Sequence, residues 1–332
     1  MRKKTLSISS IKFFLHIFFT IYILYLSFIS FSCSTLARDI LLVQNHQPAN
    51  TGLYASGGEN YRFASDLQHD GILTHEYITN SEGLTLHALN ITNPQKSNII
   101  ILSIHGWSKG AYTQFFKYGK LFYNNVNVNL FLPEMRNCGK SEGSAFGWGY
   151  LDYSDMLLWI DRVIEIYGQD CKIILHGLSA GATAALFTTA QKLPSNVVCA
   201  ISDAVVPSFT DLILYHVAPY QGKKAEKCEQ FAQSIQASFY EIEGSYDFSA
   251  VNLYDHIEKV NIPVLFIYSA ADPVVPINQQ RTLFEQKQGE KDEWLIEDSY
   301  HDRIVIDYPT EYLEHVINFI NKYLPSPISI SD

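Results

Sequence analysis

Basic residues are scarce in this chain: 24 lysines and arginines stand against 34 aspartates and glutamates, a formal net charge of −10. A surface of that sign repels a phosphate backbone, so nucleic acid is excluded as a partner. Cysteine is scarcer still, with five in 332 residues. Cys33 falls in an N-terminal leader. Cys138, Cys171, Cys199 and Cys228 are too few for the disulfide framework that small secreted domains require. Cys199, in the apolar run NVVCAIS, reads as an inert core thiol. Neither a CxxC pair nor a His-rich cluster occurs, so no metal site is expected and no cofactor is called for. Internal repeats and low-complexity segments are also missing, which leaves a globular chain.

What is present is apolar. Hydrophobic residues make up 47% and charged residues 17%, enough for one large α/β domain or two smaller ones. The N-terminus has its own pattern: basic MRKK, the apolar run IKFFLHIFFTIYILYLSFISFSC, then STLA. Small residues Thr35 and Ala37 before a cleavage point make residues 1–37 a secretory signal peptide. Residues 13–31 nearly reach the length of a membrane span, so a retained anchor is the alternative. Cys33 offers lipid attachment, against which Phe31 is bulky. Each reading exports residues 38–332, to a bacterial periplasm, envelope or exterior, with membrane association through the N-terminal segment. Without residues 1–37 the body carries 20 basic and 34 acidic residues, a net −14.

Along that body, residues 38–72 are polar and irregular and are expected as an extended arm over the domain. HEYITNSEGLTLHALNIT (75–92) alternates on both sides of NSEG and predicts a hairpin. A continuous apolar run at 98–106 reads as a buried strand, and further strands are read within 126–137, at 171–175, in NVVCAISDA, at 262–272 and, shorter, at 293–298. Helical spacing occurs in YTQFFKYGKLFYN, at 150–168, after the 171–175 run, and at 309–324. In the second of these, Met156, Leu157, Ile160, Val163 and Ile164 share one side. Strands alternating with helices predict a mostly parallel sheet covered on both faces. Residues 205–258 exceed what one crossover helix needs and are expected to hold that helix plus a small lid.

The chemistry starts at HGLSAG. Gly177-Leu178-Ser179-Ala180-Gly181 is a GxSxG pattern between a strand and a small-residue helix, the setting in which a sharp turn lifts a serine hydroxyl clear of a sheet. A serine hydroxyl is a weak nucleophile and needs a base, which in turn needs orienting. VLFIYSAADPVVP places Asp272 directly after an apolar strand, and WLIEDSYHDR places His301 past the last one. Asp298 and Asp302 flank His301 too closely in sequence to reach its ring and read as solvated surface. His87, His176, His216, His256 and His315 lack a comparable placement; His176 is read as a packing or hydrogen-bonding residue beneath the serine turn. Acyl transfer also builds charge on a carbonyl oxygen, which two backbone N–H groups can receive. Ala180 supplies one, and Trp107, after the SIHG turn, the other; its indole is also placed to wall an acyl pocket.

HGW (105–107), RNCGKSEG (136–143), HGLSAG (176–181), AADPVVP (270–276) and SYHD (299–302) together resemble the α/β-hydrolase superfamily over about residues 75–325. RNCGKSEG is similar to the RGHGxSxG turn of that superfamily, with Asn and Cys in place of Gly and His. FGWGYLDYSDMLLWID is similar to the stretch that follows this turn in a bacterial subgroup, whose closer members carry Met where this chain has Ala180. The resemblance implies an α/β-hydrolase fold and the order nucleophile, acid, histidine, which Ser179, Asp272 and His301 obey. It implies a cofactor-free esterase or lipase acting on small-molecule esters through an acyl-enzyme. A peptidase of the prolyl-oligopeptidase type and a binding protein on the same fold are the alternatives. The first usually carries a large extra domain for which there is no room here, and the second has usually lost a triad member. Phe209, Leu212, Leu214, Tyr215 and Phe239 are candidates for an apolar acyl site or for ordinary helix packing.

Overall fold

The computed structural model describes residues 58–107, 109–217, 233–234 and 247–330. Eight strands form one sheet: β1 (Leu73–Thr79), β2 (Thr85–Ile91), β3 (Ile99–Ile104), β4 (Asn129–Pro133), β5 (Lys172–Leu178), β6 (Val197–Asp203), β7 (Val264–Ser269) and β8 (Lys291–Ile296). Their spatial order is β1-β2-β4-β3-β5-β6-β7-β8. β2 runs antiparallel to both its neighbours, and β3 through β8 are mutually parallel. β3, β4 and β7 are buried at every position, as strands covered on both faces must be.

Side chains alternate between two cores along each strand. Ile100, Leu102, Ile173, Leu175, Val264 and Phe266 enter one, and Ile99, Ile101, Ile174, Leu265 and Ile267 the other. The first core is covered by α4 (Asp152–Tyr167), α5 (Ala180–Thr189) and α7 (Ile277–Gln286). The second is covered by α1 (Glu59–His69), α2 (Ala111–Gln114), α3 (Lys120–Asn125), α8 (Ile304–Asp307) and α9 (Pro309–Asn321). A π turn, Phe115–Gly119, joins α2 to α3. Along α4 the buried face holds Met156, Ile160, Val163 and Ile164 with Trp159, while Leu157 is only half-buried.

Two consequences place the site. From β3 the chain passes to β4 on one side, and then returns across it to β5 on the other. The helices that follow β3 and β5 lie on opposite faces of the sheet, so a crevice opens between the carboxyl ends of these strands. β3 and β5 are in register there, Ile104 beside Gly177.

The arm expected over 38–72 is corrected by α1. Ala64 and Leu67, one turn apart, are buried, and Phe63 stacks on Phe115 at 6.1 Å. So few apolar residues among polar ones leave no periodicity to read. Residues 38–57 lie outside the described residues, as does the leader 1–37. Among the described residues no helix is long and apolar enough to cross a membrane. Of the lid region, α6 (Phe209–Val217) and 3-10 turns at Phe248–Ala250, Leu253–Asp255 and Ile257–Lys259 are described; most of 218–246 is not. Cys138, Cys171 and Cys199 are buried free thiols, and Cys33 and Cys228 lie outside the described residues.

Candidate active site

Ser179 closes β5 and opens α5 with φ 55° and ψ −119°, a backbone region that non-glycine residues avoid. Its neighbours hold it there. Ser179 N donates to Asp203 O at 2.8 Å, and Thr183 N to Ser179 O at 3.0 Å. The flanking glycines permit the approach: a Cβ on Gly177 would lie 2.3 Å from Gly181 O, and one on Gly181 2.3 Å from Ile104 O. The first turn of α5 is thus pressed against both adjacent strand ends.

The loops after β7 and β8 bring in the other two groups. Ser179 Oγ and His301 Nε2 are 3.0 Å apart, and His301 Nδ1 and Asp272 Oδ2 2.7 Å. Asp272 Oδ1 accepts from Val274 N at 2.8 Å and from Val275 N at 3.0 Å. A carboxylate only accepts, so Nδ1 carries the ring proton and Nε2 is left to accept from the serine hydroxyl. The structure therefore brings Ser179, His301 and Asp272 into one hydrogen-bonded chain.

Asp302 is not the solvated residue expected from sequence. It adopts φ 62° and pairs with Lys117, in the π turn, at 2.6 Å. Burial pulls the Lys117 ammonium below its ordinary pKa and the charge of Asp302 pushes it back. The histidine loop is pinned at this point to the opposite side of the crevice. Asp298 bonds the Tyr308 hydroxyl.

Trp107 lies in the turn after β3, and Ala180 directly follows the serine. Ala180 is the first residue of α5, where N–H groups have no intrahelical acceptor. The Trp107 N–H is oriented by a residue that the sequence did not single out for a role. His105 is fully buried; its Nε2 accepts from Met135 N at 3.0 Å, so Nδ1 is the donor, to Gly106 O at 2.8 Å. In a trans peptide the N–H points opposite the carbonyl, so this bond turns the Trp107 N–H away from His105. Gly106 itself abuts the elbow: its Cβ would lie 3.4 Å from Ser179 Cβ. Burial lowers the His105 pKa and keeps the ring neutral for this task.

A cleft of about 250 Å³ lies over Ser179 and His301. Trp107, Trp148, Leu178, Val206, Leu212 and Val274 make its apolar wall, and Lys109 and Asp302 also line it. Of the acyl-site candidates, Leu212 lines the cleft, Phe209 packs under Trp148 at 4.7 Å, Leu214 packs on the core and Tyr215 is exposed. Phe239 lies outside the described residues. Trp107 stacks on Trp148 with 6.0 Å between centroids.

Beneath the site runs a buried polar network. His176 bridges Ser103 Oγ at 2.6 Å and Tyr312 OH at 2.9 Å, the hydrogen-bonding role read for it from sequence. Burial drives its pKa down to about 3. Tyr118 OH donates to Asp203 Oδ2 at 2.9 Å, and burial pushes Asp203 up to about 6. An aspartate ending the apolar run VVCAIS was the one sequence signal for it. The RNCGKSEG turn is anchored by Arg136, whose Nε and second guanidinium nitrogen reach the two Asp155 oxygens at 2.6 and 3.1 Å. At the sheet edge, His75 contacts His87 at 2.8 Å, and His87 contacts Glu134 at 2.7 Å. Among the described residues, no group of three or more His, Cys, Asp or Glu is placed to hold a metal ion.

No family model matches this chain. YqkD of Bacillus subtilis is 24% identical over 225 residues, 68% of this chain and 71% of that one. Protein bem46 of Schizosaccharomyces pombe is 28% identical over 166 residues, 50% of this chain and 48% of the other. Among solved structures, an esterase from Pyrococcus furiosus superposes with TM-score 0.60 at 17% identity, over 77% of this chain and 94% of that one. The α/β hydrolase GrgF from Penicillium gives 0.57 at 15%, over 76% and 98%.

Proposed function

The chain has the α/β-hydrolase fold, and from that premise we propose that it is a serine hydrolase cleaving carboxylic esters through an acyl-enzyme. The observation that carries the proposal is the hydrogen-bonded sequence Ser179 Oγ, His301, Asp272 on a strained elbow under an apolar cleft. Ser179 Oγ attacks the ester carbonyl as His301 Nε2 takes its proton, and Asp272 stabilises the resulting imidazolium. The oxyanion falls between the N–H groups of Ala180 and Trp107. His301 then returns the proton to the leaving alkoxide, which departs as the alcohol. A water molecule, deprotonated by the same ring, attacks the acyl carbonyl and releases the acid and Ser179. The structural neighbours named as an esterase and an α/β hydrolase support a hydrolase.

The test is covalent labelling. The purified protein, treated with a fluorophosphonate, is expected to gain the mass of one adduct, and Ser179→Ala none. Turnover of methyl esters and not of peptide amides is the esterase outcome; amide cleavage would move the assignment to a peptidase. No adduct on the folded protein would refute an activated serine. Export through residues 1–37, with membrane association by that segment, belongs to the same proposal. It is tested by N-terminal sequencing of protein recovered from the cell envelope.

A further inference from the structure

Besides Ser179, His301 and Asp302, the lining of the cleft carries two side-chain donors, Lys109 and Trp148, with no acceptor among the described residues. Lys109 is half-buried in its wall, and among the described residues its ammonium has no ion pair or hydrogen bond. In a chain with ten more acids than bases, carboxylates to pair with a lysine are plentiful. Asp302 in the same cleft does not serve, because it is taken up by Lys117 at 2.6 Å.

The second donor is Trp148. Its side chain lines the cleft and is 6% exposed, and its Nε1–H is buried with no partner among the described residues. A buried donor left unpaired costs free energy, and native chains rarely keep one. This one is held in place deliberately. Trp148 has φ +50°, and the glycines on either side are locked: a Cβ on Gly147 would lie 2.4 Å from Asp152 Oδ2, and one on Gly149 2.6 Å from Ala184 N. Such strain, packed against the helix that follows the nucleophile, is the kind retained at binding sites.

We propose that the substrate is a small ester bearing a second, negatively charged group, a carboxylate or a phosphate, received by Lys109 and the Trp148 indole N–H. The proposal rests on the esterase reading above. Two donors without a partner among the described residues, one of them charged, select an anion: a neutral chain leaves the ammonium without a counter-charge, and a cation is repelled by it. The size of the cleft sets the other limit. Its volume of about 250 Å³ suits an acyl carbon on Ser179 and a charged group carried on one short molecule.

The experiment compares kcat/KM for methyl butyrate, monomethyl glutarate and methyl 3-phosphonopropanoate, followed by release of acid. The wild-type full chain, Lys109→Met and Trp148→Phe are assayed, with fluorophosphonate labelling of the wild type run alongside. At least one anionic ester is expected to exceed methyl butyrate by about tenfold or more in the wild type, the range for a hydrogen bond to a charged group. That ratio is expected to fall to about one in Lys109→Met and to an intermediate value in Trp148→Phe. Whichever anionic ester is faster identifies carboxylate or phosphate. A wild-type ratio at or below one, or equal losses on all three esters in Lys109→Met, would overturn the proposal. Labelling without turnover of any ester also overturns it, while leaving the serine nucleophile standing. Absence of labelling removes the esterase reading itself, and this inference with it.

Discussion

Replacing Asp272 by asparagine changes one atom and sets two hydrogen-bonding demands against each other. Asp272 Oδ1 accepts two backbone N–H groups, of Val274 and Val275, and Oδ2 accepts from His301 Nδ1. An amide has one acceptor and one donor end, so it can serve only one side correctly. With its NH₂ toward Val274 and Val275, two backbone donors lose their acceptor, at about 1–3 kcal/mol each. With its oxygen there, both bonds survive and the NH₂ meets His301 Nδ1. That second arrangement is favoured, and it requires Nδ1 to accept. The ring proton then moves to Nε2, which faces Ser179 Oγ at 3.0 Å and can no longer take the serine proton. The expected loss in kcat is about 10³–10⁴-fold, equivalent to roughly 4–5.5 kcal/mol of transition-state stabilisation. Because the fold keeps every backbone hydrogen bond, thermal unfolding is expected to shift little. Steady-state ester hydrolysis with calorimetry on Asp272→Asn checks both halves. Retention of more than a tenth of the wild-type kcat would refute the assignment of Asp272 as the orienting acid.

Other perturbations probe the scaffold around that chain. His105→Leu removes the bond that orients the Gly106–Trp107 peptide; kcat is expected to fall about 10²-fold with KM within a few-fold, and a KM effect alone would count against the oxyanion role. Arg136→Met leaves Asp155 buried without its partner, and a loss of about 3–5 kcal/mol in urea unfolding is expected; a loss under 1 kcal/mol would show that Asn80, which donates to Asp155 Oδ1 at 2.9 Å, suffices. Burial raises Asp203 to about 6, and burial with the charge of Asp155 does the same to Asp152. Between about pH 4 and 6 the folded chain therefore keeps protons on these carboxylates that the unfolded chain has released, so they make stability fall as pH rises through that window. In Asp203→Asn that fall is expected to shrink by up to about 2 kcal/mol, read from unfolding curves at pH 4.5 and 7.5; an unchanged slope would refute the raised pKa.

How far each feature could be read depends on where its cause lies in the chain. The hairpin, β3 to β8 and helices α4, α5 and α9 are dictated by runs or periods a few residues long, and each forms close to where the pattern lies. Helix α1 escaped because its buried residues are Ala64 and Leu67, which even with Phe63 are too few to mark an apolar face. Asp302 was misjudged because its partner, Lys117, lies far away in sequence and meets it only across the folded crevice.

The sequence by itself determined that Ser179 would stand on a turn between strand and helix, and that Asp272 and His301 would each follow a strand. Those are local facts, set by glycine, proline and apolar runs on either side of each residue. Only the tertiary structure decided what lies between them. The neutral His105 that aims a peptide, the ion pair that fixes the histidine loop, and the donors Lys109 and Trp148, unpaired among the described residues, exist because the sheet order brings distant loops to one edge. Hydrogen bonds act over about 3 Å, and separation along a chain does not show which groups come that close.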